Sequence, residues 1–263
     1  MRDEKFILLS FDVEEFDMPL EYGQPISPEE QMNVGKKGTD VLETILQQHN
    51  ISCTLFTTAN YAIHFPKQIQ QLAGTQEIAS HTFYHSRFEE ADLLLSKQRL
   101  AVISGQTIAG LRMPRMQQVN IAALKAAGYL YDASVNPTWI PGRYNNRHLP
   151  RTWYTEQHIV RIPASVTPNN LRIPLFWLAF KNMPLSLFVK FTLQTLRQDG
   201  YVSLYLHPWE FTELSNYQIP NYTKRYSGKR LEDRLHQFIE AMKQKGQFIT
   251  MQQFMDKKCQ PIQ

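Results

Sequence analysis

Short apolar runs alternate with stretches of helical periodicity from one end of this chain to the other, and that alternation leaves few folds open. Phe6 to Phe11 is apolar and bounded by charge, the pattern of a strand buried on both faces. Gly38 to Asn50 then places Val41, Leu42, Ile45 and Leu46 on one helical face. Ile51 to Thr57 is the next strand, rich in β-branched and aromatic types. A helix is expected over Pro66 to Ala73, a strand over Glu77 to Ser80 and a long helix over Glu89 to Ile103. The rhythm continues with strand Ile108 to Leu111, helix Asn120 to Ala127, strand Tyr129 to Tyr131 and strand Ile159 to Pro163. A helix within Leu185 to Gln198, a strand at Val202 to Leu206, a helix at Leu231 to Lys245 and a strand at Phe248 to Thr250 complete it. Strands separated by helices predict a parallel sheet, closed as a barrel or left open.

Two segments break this rhythm. Asn136 to Trp153 holds three prolines and Gly142 and reads as a long loop. Ile173 to Leu193 is apolar but interrupted by Lys181, Asn182, Pro184 and Lys190. A bilayer span needs about 20 mostly apolar residues, so the segment is expected to be a buried outer helix. Peripheral membrane contact is the alternative.

The 263 residues contain neither repeat nor linker, so one domain over residues 1–263 is expected. With 43% hydrophobic and 20% charged residues the chain can bury a sizeable core. A net charge of +4, spread without a Lys/Arg block, argues against a nucleic-acid partner. Cys53 and Cys259 form neither a disulfide framework nor a CxxC pair. Near the N-terminus, Arg2 and Lys5 precede an apolar run that Asp12 ends, shorter than a secretory core of roughly 7–15 residues. A cytoplasmic location is the expectation.

The strand ends carry the chemistry, as they do in parallel α/β folds. The first strand runs into Asp12-Val13-Glu14-Glu15 and the third into His81-Thr82-Phe83-Tyr84-His85. The fourth runs into Arg112-Met113-Pro114-Arg115, and the later Val202 to Leu206 into His207-Pro208-Trp209-Glu210. Asp12 and Glu14, two apart in an extended strand, point the same way. His81 and His85, at i and i+4, suit one face of a helical turn. Two histidines and one carboxylate can hold a metal with positions left open; the alternative is a histidine pair that bonds locally. Glu15 would alternate to the opposite strand face.

These motifs, in this order, resemble those of the polysaccharide deacetylase family (NodB-homology, carbohydrate esterase family 4), over Phe6 to about Glu210. Ser10-Phe11-Asp12-Val13-Glu14 resembles the D-V-E variant of the first family motif, and His81-Thr82-Phe83-Tyr84-His85 the H-[ST]-x-x-H motif. Arg112-Met113-Pro114-Arg115 resembles the third, Tyr131-Asp132-Ala133-Ser134 the fourth, and Leu204-Tyr205-Leu206-His207 the fifth. The resemblance implies an irregular seven-stranded (β/α) barrel and a hydrolase that deacetylates an N-acetylated glycan. It implies one divalent metal ion, usually zinc, held by Glu14, His81 and His85. Asp12 would be the general base, oriented by Arg112. The backbone N–H of Arg115 would stabilise the oxyanion, and His207, tuned by Asp132, would protonate the leaving amine. Trp139 and Trp209 are candidates for stacking on sugar faces. The alternatives are a metal-independent amidohydrolase acting on a small cyclic amide or ureide, and a non-catalytic sugar-binding protein. Nothing in the sequence encodes an oligomeric state.

Overall fold

The computed structural model describes residues 4–259; Arg2 lies outside them. Its strands are β1 (Phe6–Val13), β2 (Thr54–Thr57), β3 (Glu77–Ser80), β4 (Gly110–Leu111), β5 (Tyr131–Asp132), β6 (Trp139–Ile140), β7 (Tyr144–Asn145), β8 (Tyr154–Glu156), β9 (Ile159–Arg161), β10 (Tyr201–Leu206) and β11 (Gln247–Phe248). Seven of them, in the order β10-β1-β2-β3-β4-β5-β9, pair in parallel and curl into a barrel-like wall. β8 adds antiparallel outside β9, and β11 shares one edge of β1 with β2, pairing at Phe6 and Ile7. Between β9 and β10 a pair of hydrogen bonds stands in for a ladder. Ser165 N–H donates to Ser203 O at 2.8 Å, and Ser203 N–H donates to Ser165 Oγ at 2.9 Å. The result is the irregular (β/α) barrel expected from the motifs.

The alternation of side chains along β1 sorts core from site. Ile7, Leu9, Phe11 and Val13 face outward into the large cluster shared with the helices. Phe6 and Leu8 face inward and pack with Phe56, Ala79 and Tyr131. The inward column then turns polar at Ser10 and Asp12, both buried, at the carboxyl end of the strand. Apolar filling below and charge above is what a barrel with its chemistry at one mouth requires.

Several boundaries differ from the sequence expectation. The second helix spans Pro28–His49, with Ser27 capping Glu30 N–H, and so begins well before Gly38. Gly35 and Gly38 read as helix breakers in isolation, but here they permit close packing. A Cβ at Gly35 would lie 2.5 Å from Glu14 O, and one at Gly38 would lie 2.0 Å from Pro208 O. The helix thus lies directly on two of the site-bearing segments. The Asn136–Trp153 loop contains the β6–β7 hairpin, and β8 follows it. The apolar segment is two helices, Trp177–Asn182 and Leu185–Asp199, broken before Pro184. No helix among the described residues is long and apolar enough to cross a membrane.

Candidate active site

A cavity of about 410 Å³ opens at the carboxyl ends of the strands, with Asp12, Glu14, His85 and His207 in its lining. Phe16, Phe176, Trp177 and Tyr205 wall it, and Ile140 and Tyr144 of the β6–β7 hairpin form part of the rim.

Glu14 leaves the end of β1 and meets both histidines of the second motif. Its Oε2 lies 3.0 Å from His81 Nε2 and 3.3 Å from His85 Nε2. The far nitrogen of each ring is committed. His81 Nδ1–H donates to Arg112 O at 2.7 Å, and His85 Nδ1–H donates to Asp17 Oδ1 at 2.7 Å. Both Nε2 atoms are therefore left as acceptors facing a carboxylate oxygen. Glu14 Oε2 and His81 Nε2 are buried and have no hydrogen-bond partner. Acceptors that face one another in a desolvated site repel unless a proton or a cation lies between them. The three residues offer one ligand atom each within 4.8 Å of one another. This donor set fits a divalent cation, with each histidine oriented by an outer partner as metal-bound histidines usually are.

The protonation balance reads the same way. Burial pushes Glu14 up, but the His85 charge and the His81 hydrogen bond outweigh it and hold the carboxyl well below its ordinary range. Burial pulls His85 down, yet Glu14 and Asp17 raise it to about 9.

The histidine pair is not built on a helical turn. Thr82 sits at φ 63°, an outlier for a β-branched residue, and the chain from His81 to His85 is an irregular loop. Ala59 N–H and Asn60 N–H donate to Thr82 O and Phe83 O and pin that loop. The two rings end 5.8 Å apart and nearly parallel. Glu15 points elsewhere, accepting from Thr58 Oγ1, Asn60 Nδ2 and His85 N–H.

Across the cavity, Arg112 Nη1 donates to Asp12 Oδ1 at 2.6 Å and Nη2 donates to Ser10 Oγ at 3.0 Å. The guanidinium is 4.1 Å from the Phe56 ring centre and 4.9 Å from that of Tyr205, which fixes its plane. Asp12 Oδ2 faces His207 Nε2 at 3.8 Å. Arg115 holds φ 56°, and its side chain reaches Asp17, Glu21 and His85 O. Among the described residues no acceptor meets its backbone N–H.

Asp132 does not touch His207. It is buried against Arg161 Nε at 3.0 Å and accepts from the Ser134 hydroxyl, while Ser134 Oγ accepts the Met113 N–H. Its work is to position the Arg112–Pro114 segment. The carboxylate at His207 is Glu210, whose Oε1 accepts from His207 Nδ1–H at 3.0 Å and from His207 N–H at 2.9 Å. Behind it, Lys181 Nζ lies 3.0 Å from Glu210 Oε2, both side chains fully buried. Burial pushes Glu210 up, but Lys181 and His207 outweigh it and hold the carboxyl low. His207 is pulled down by burial and raised more strongly by Glu210, Glu14 and Asp12, so the balance favours its protonated form.

The two tryptophans part company. Trp209 is buried in the cavity wall, and its Nε1–H donates to Glu14 Oε1 at 3.0 Å and orients the carboxylate. Trp139 is 53% exposed on the β6–β7 hairpin, outside the cavity lining. Asp17, Glu210 and Lys181 were not singled out in the sequence. Glu210 had a signal, standing three residues after His207 as the capping glutamate of the Pro208–Phe211 turn.

The family model described as polysaccharide deacetylase matches residues 2–131, the part that supplies Asp12, Glu14, His81, His85 and Arg112. Residues 2–131 belong to the polysaccharide deacetylase family. No curated protein matches the sequence. Among solved structures the whole chain is similar to a protein assigned to the polysaccharide deacetylases from Mycobacterium smegmatis. The two share 18% identity and a TM-score of 0.67 over 98% of this chain and 91% of the other. A counterpart from Pseudomonas aeruginosa PAO1 gives 15% identity and a TM-score of 0.67 over 98% and 92%. A family pseudoenzyme from Bacillus anthracis gives 9% and 0.54 over 98% and 67%. At these identities the likeness is one of fold.

Proposed function

We propose that this chain is a divalent-metal-dependent hydrolase that removes N-acetyl groups from the amino sugars of a cell-envelope or surface polysaccharide. The observation that carries the reading is the pair of orphaned buried atoms, Glu14 Oε2 and His81 Nε2, beside His85 Nε2. Two imidazoles and one carboxylate suit zinc, with Glu14, His81 and His85 as its ligands. When bound, the ion would supply an activated water and polarise the acyl oxygen.

The chain's own groups have complementary tasks. Asp12, held in one orientation by Arg112 and Ser10, accepts the proton of the attacking water. The Arg115 N–H is a donor for the oxyanion, a contribution commonly worth about 3–4 kcal/mol of barrier. His207, kept charged by the Glu210 carboxylate, gives its proton to the departing amine nitrogen, so acetate and a free amino sugar leave. Phe176, Trp177 and Tyr205 exclude water from the reacting bond.

Because the family includes a pseudoenzyme, turnover is the test. Chelator-treated protein given N-acetylchitotetraose should release no acetate, and one equivalent of zinc should restore release. Full activity without metal would move the reading to a metal-independent amidohydrolase. One bound zinc with no acetate from any acetylated glycan would move it to a binding protein.

A further inference from the structure

A second concavity of about 370 Å³ is lined by Arg147, Arg151, Pro168, Asn169, Asn170 and Arg172. Three guanidiniums share it. Arg151 is neutralised by a bidentate pair with Asp199. Arg147 and Arg172 are not: among the described residues no carboxylate pairs with either. Arg172 spends Nη1 on two carbonyls, Pro137 O at 3.2 Å and Leu149 O at 2.8 Å, and the Arg147 side chain donates one hydrogen bond, to Asn145 Oδ1. Burial, then repulsion from Arg151 and Arg147, lowers the Arg172 pKa, the mark of positive charges gathered without a counter-ion.

The concavity is built rather than incidental. Thr167 and Ile173 close a turn in which Asn169 Oδ1 accepts from Thr167 Oγ1 and Arg172 N–H. Arg172 is held at φ 47°, and Thr138 Oγ1 donates to its carbonyl at 2.7 Å. One chain segment serves both cavities: the β6–β7 hairpin lines the catalytic one, and Arg147, two residues after β7, lines the other. Ile140 and Tyr144 pair across it and line the catalytic side. The neighbouring pair puts Trp139 on the opposite face, and the Arg147 guanidinium lies 5.5 Å from its ring centre. Arg143, at the hairpin turn, lines the catalytic cavity, so the same segment carries a cation into each.

We propose that the Arg147–Arg172 concavity is an anion subsite of the substrate groove, which binds a carboxylate or phosphate on the glycan while a neighbouring sugar stacks on Trp139. The planar fork of arginine fits both anions, and an exposed indole next to a cation is a suitable platform for a sugar face. The inference rests on the glycan reading above and narrows it to acidic polysaccharides.

The test is calorimetric titration of the zinc-loaded protein with three tetrasaccharides at low salt. These are neutral N-acetylchitotetraose, an alternating glucuronate–N-acetylglucosamine tetrasaccharide, and chitotetraose carrying one 6-phosphate. Whichever anionic probe matches the native substituent should bind about tenfold more tightly than the neutral one. That gap should shrink to within about twofold in Arg147→Gln, whose side chain bonds only to Asn145, and in high salt. Equal affinity for all three, or a gap that survives Arg147→Gln, overturns the subsite. If no tetrasaccharide binds, the glycan reading fails by itself. The subsite is then decided by inorganic phosphate, followed through the Arg147 Nε–H resonance. A saturable shift retains the anion site, and an unmoved resonance removes it.

Discussion

Two histidine–carboxylate groups face each other across the catalytic cavity, and they are finished differently. Around Glu14, His81 and His85 every outward nitrogen is tied to an oriented partner while the inward atoms remain unpaired. Around His207 the chain of partners runs on, through Glu210 to Lys181, and ends in a buried lysine. The first arrangement is a socket, a set of three ligand atoms that fits a cation. The second, in the proposed mechanism, is a proton donor whose charge is set from behind. A third group of the same residue types shows that composition alone decides nothing. His49, His236 and Glu240 also cluster, yet they bond to one another at 2.7 and 2.9 Å and leave nothing aimed at a common point.

Breaking the socket should have the largest effect. His81→Ala or His85→Ala should abolish stoichiometric metal and reduce acetate release by at least about a thousandfold, while the melting temperature stays measurable. His207→Asn should lower kcat by roughly 10²–10⁴ and leave metal content untouched, which separates the two halves cleanly. Asp17→Asn acts on the socket from outside. It should weaken zinc binding by about 10–100-fold, read by competition with a chelator.

The fourth prediction sharpens the proton-donor half. As His207 has a raised pKa, kcat should fall as pH rises through that value, when the donor loses its proton. Lys181→Met strips Glu210 of its counter-charge, so His207 becomes the main cation available to it. The alkaline limb should move to higher pH, and the protein should lose about 3–5 kcal/mol of stability because a buried carboxylate loses its lysine partner. Asp132→Asn should leave that limb in place. A limb that moves with Asp132 and not with Lys181 would reverse the assignment.

How far the sequence anticipated this depends on whether a feature is local. The buried strands announced themselves as apolar runs, and the ionisable residues following them marked the mouth of the barrel. The choice between Glu14 and Glu15 needed the structure, since Glu14 lies beyond the last residue of β1 and strand alternation no longer decides it. Helical spacing brought His81 and His85 together for an incorrect reason; a left-handed Thr82 does the work. Asp17 and Lys181 were invisible because their partners lie 68 and 29 residues away in sequence. Asp132 was placed at His207 by resemblance alone, and Glu210, three residues from that histidine, holds the position instead. The expected helix began at Gly38, ten residues late, and the packing of its first half on Glu14 and Pro208 depends on Gly35 and Gly38.

The most direct test of the socket is calorimetric zinc titration of chelator-treated protein at pH 7.5, repeated in buffers of different ionisation enthalpy. With His85 raised to about 9, its proton must leave for zinc to bind. The account predicts one zinc per chain with release of about one proton, and neither in His85→Ala. Zinc that binds with no proton release, or binds equally well to His85→Ala, would contradict it.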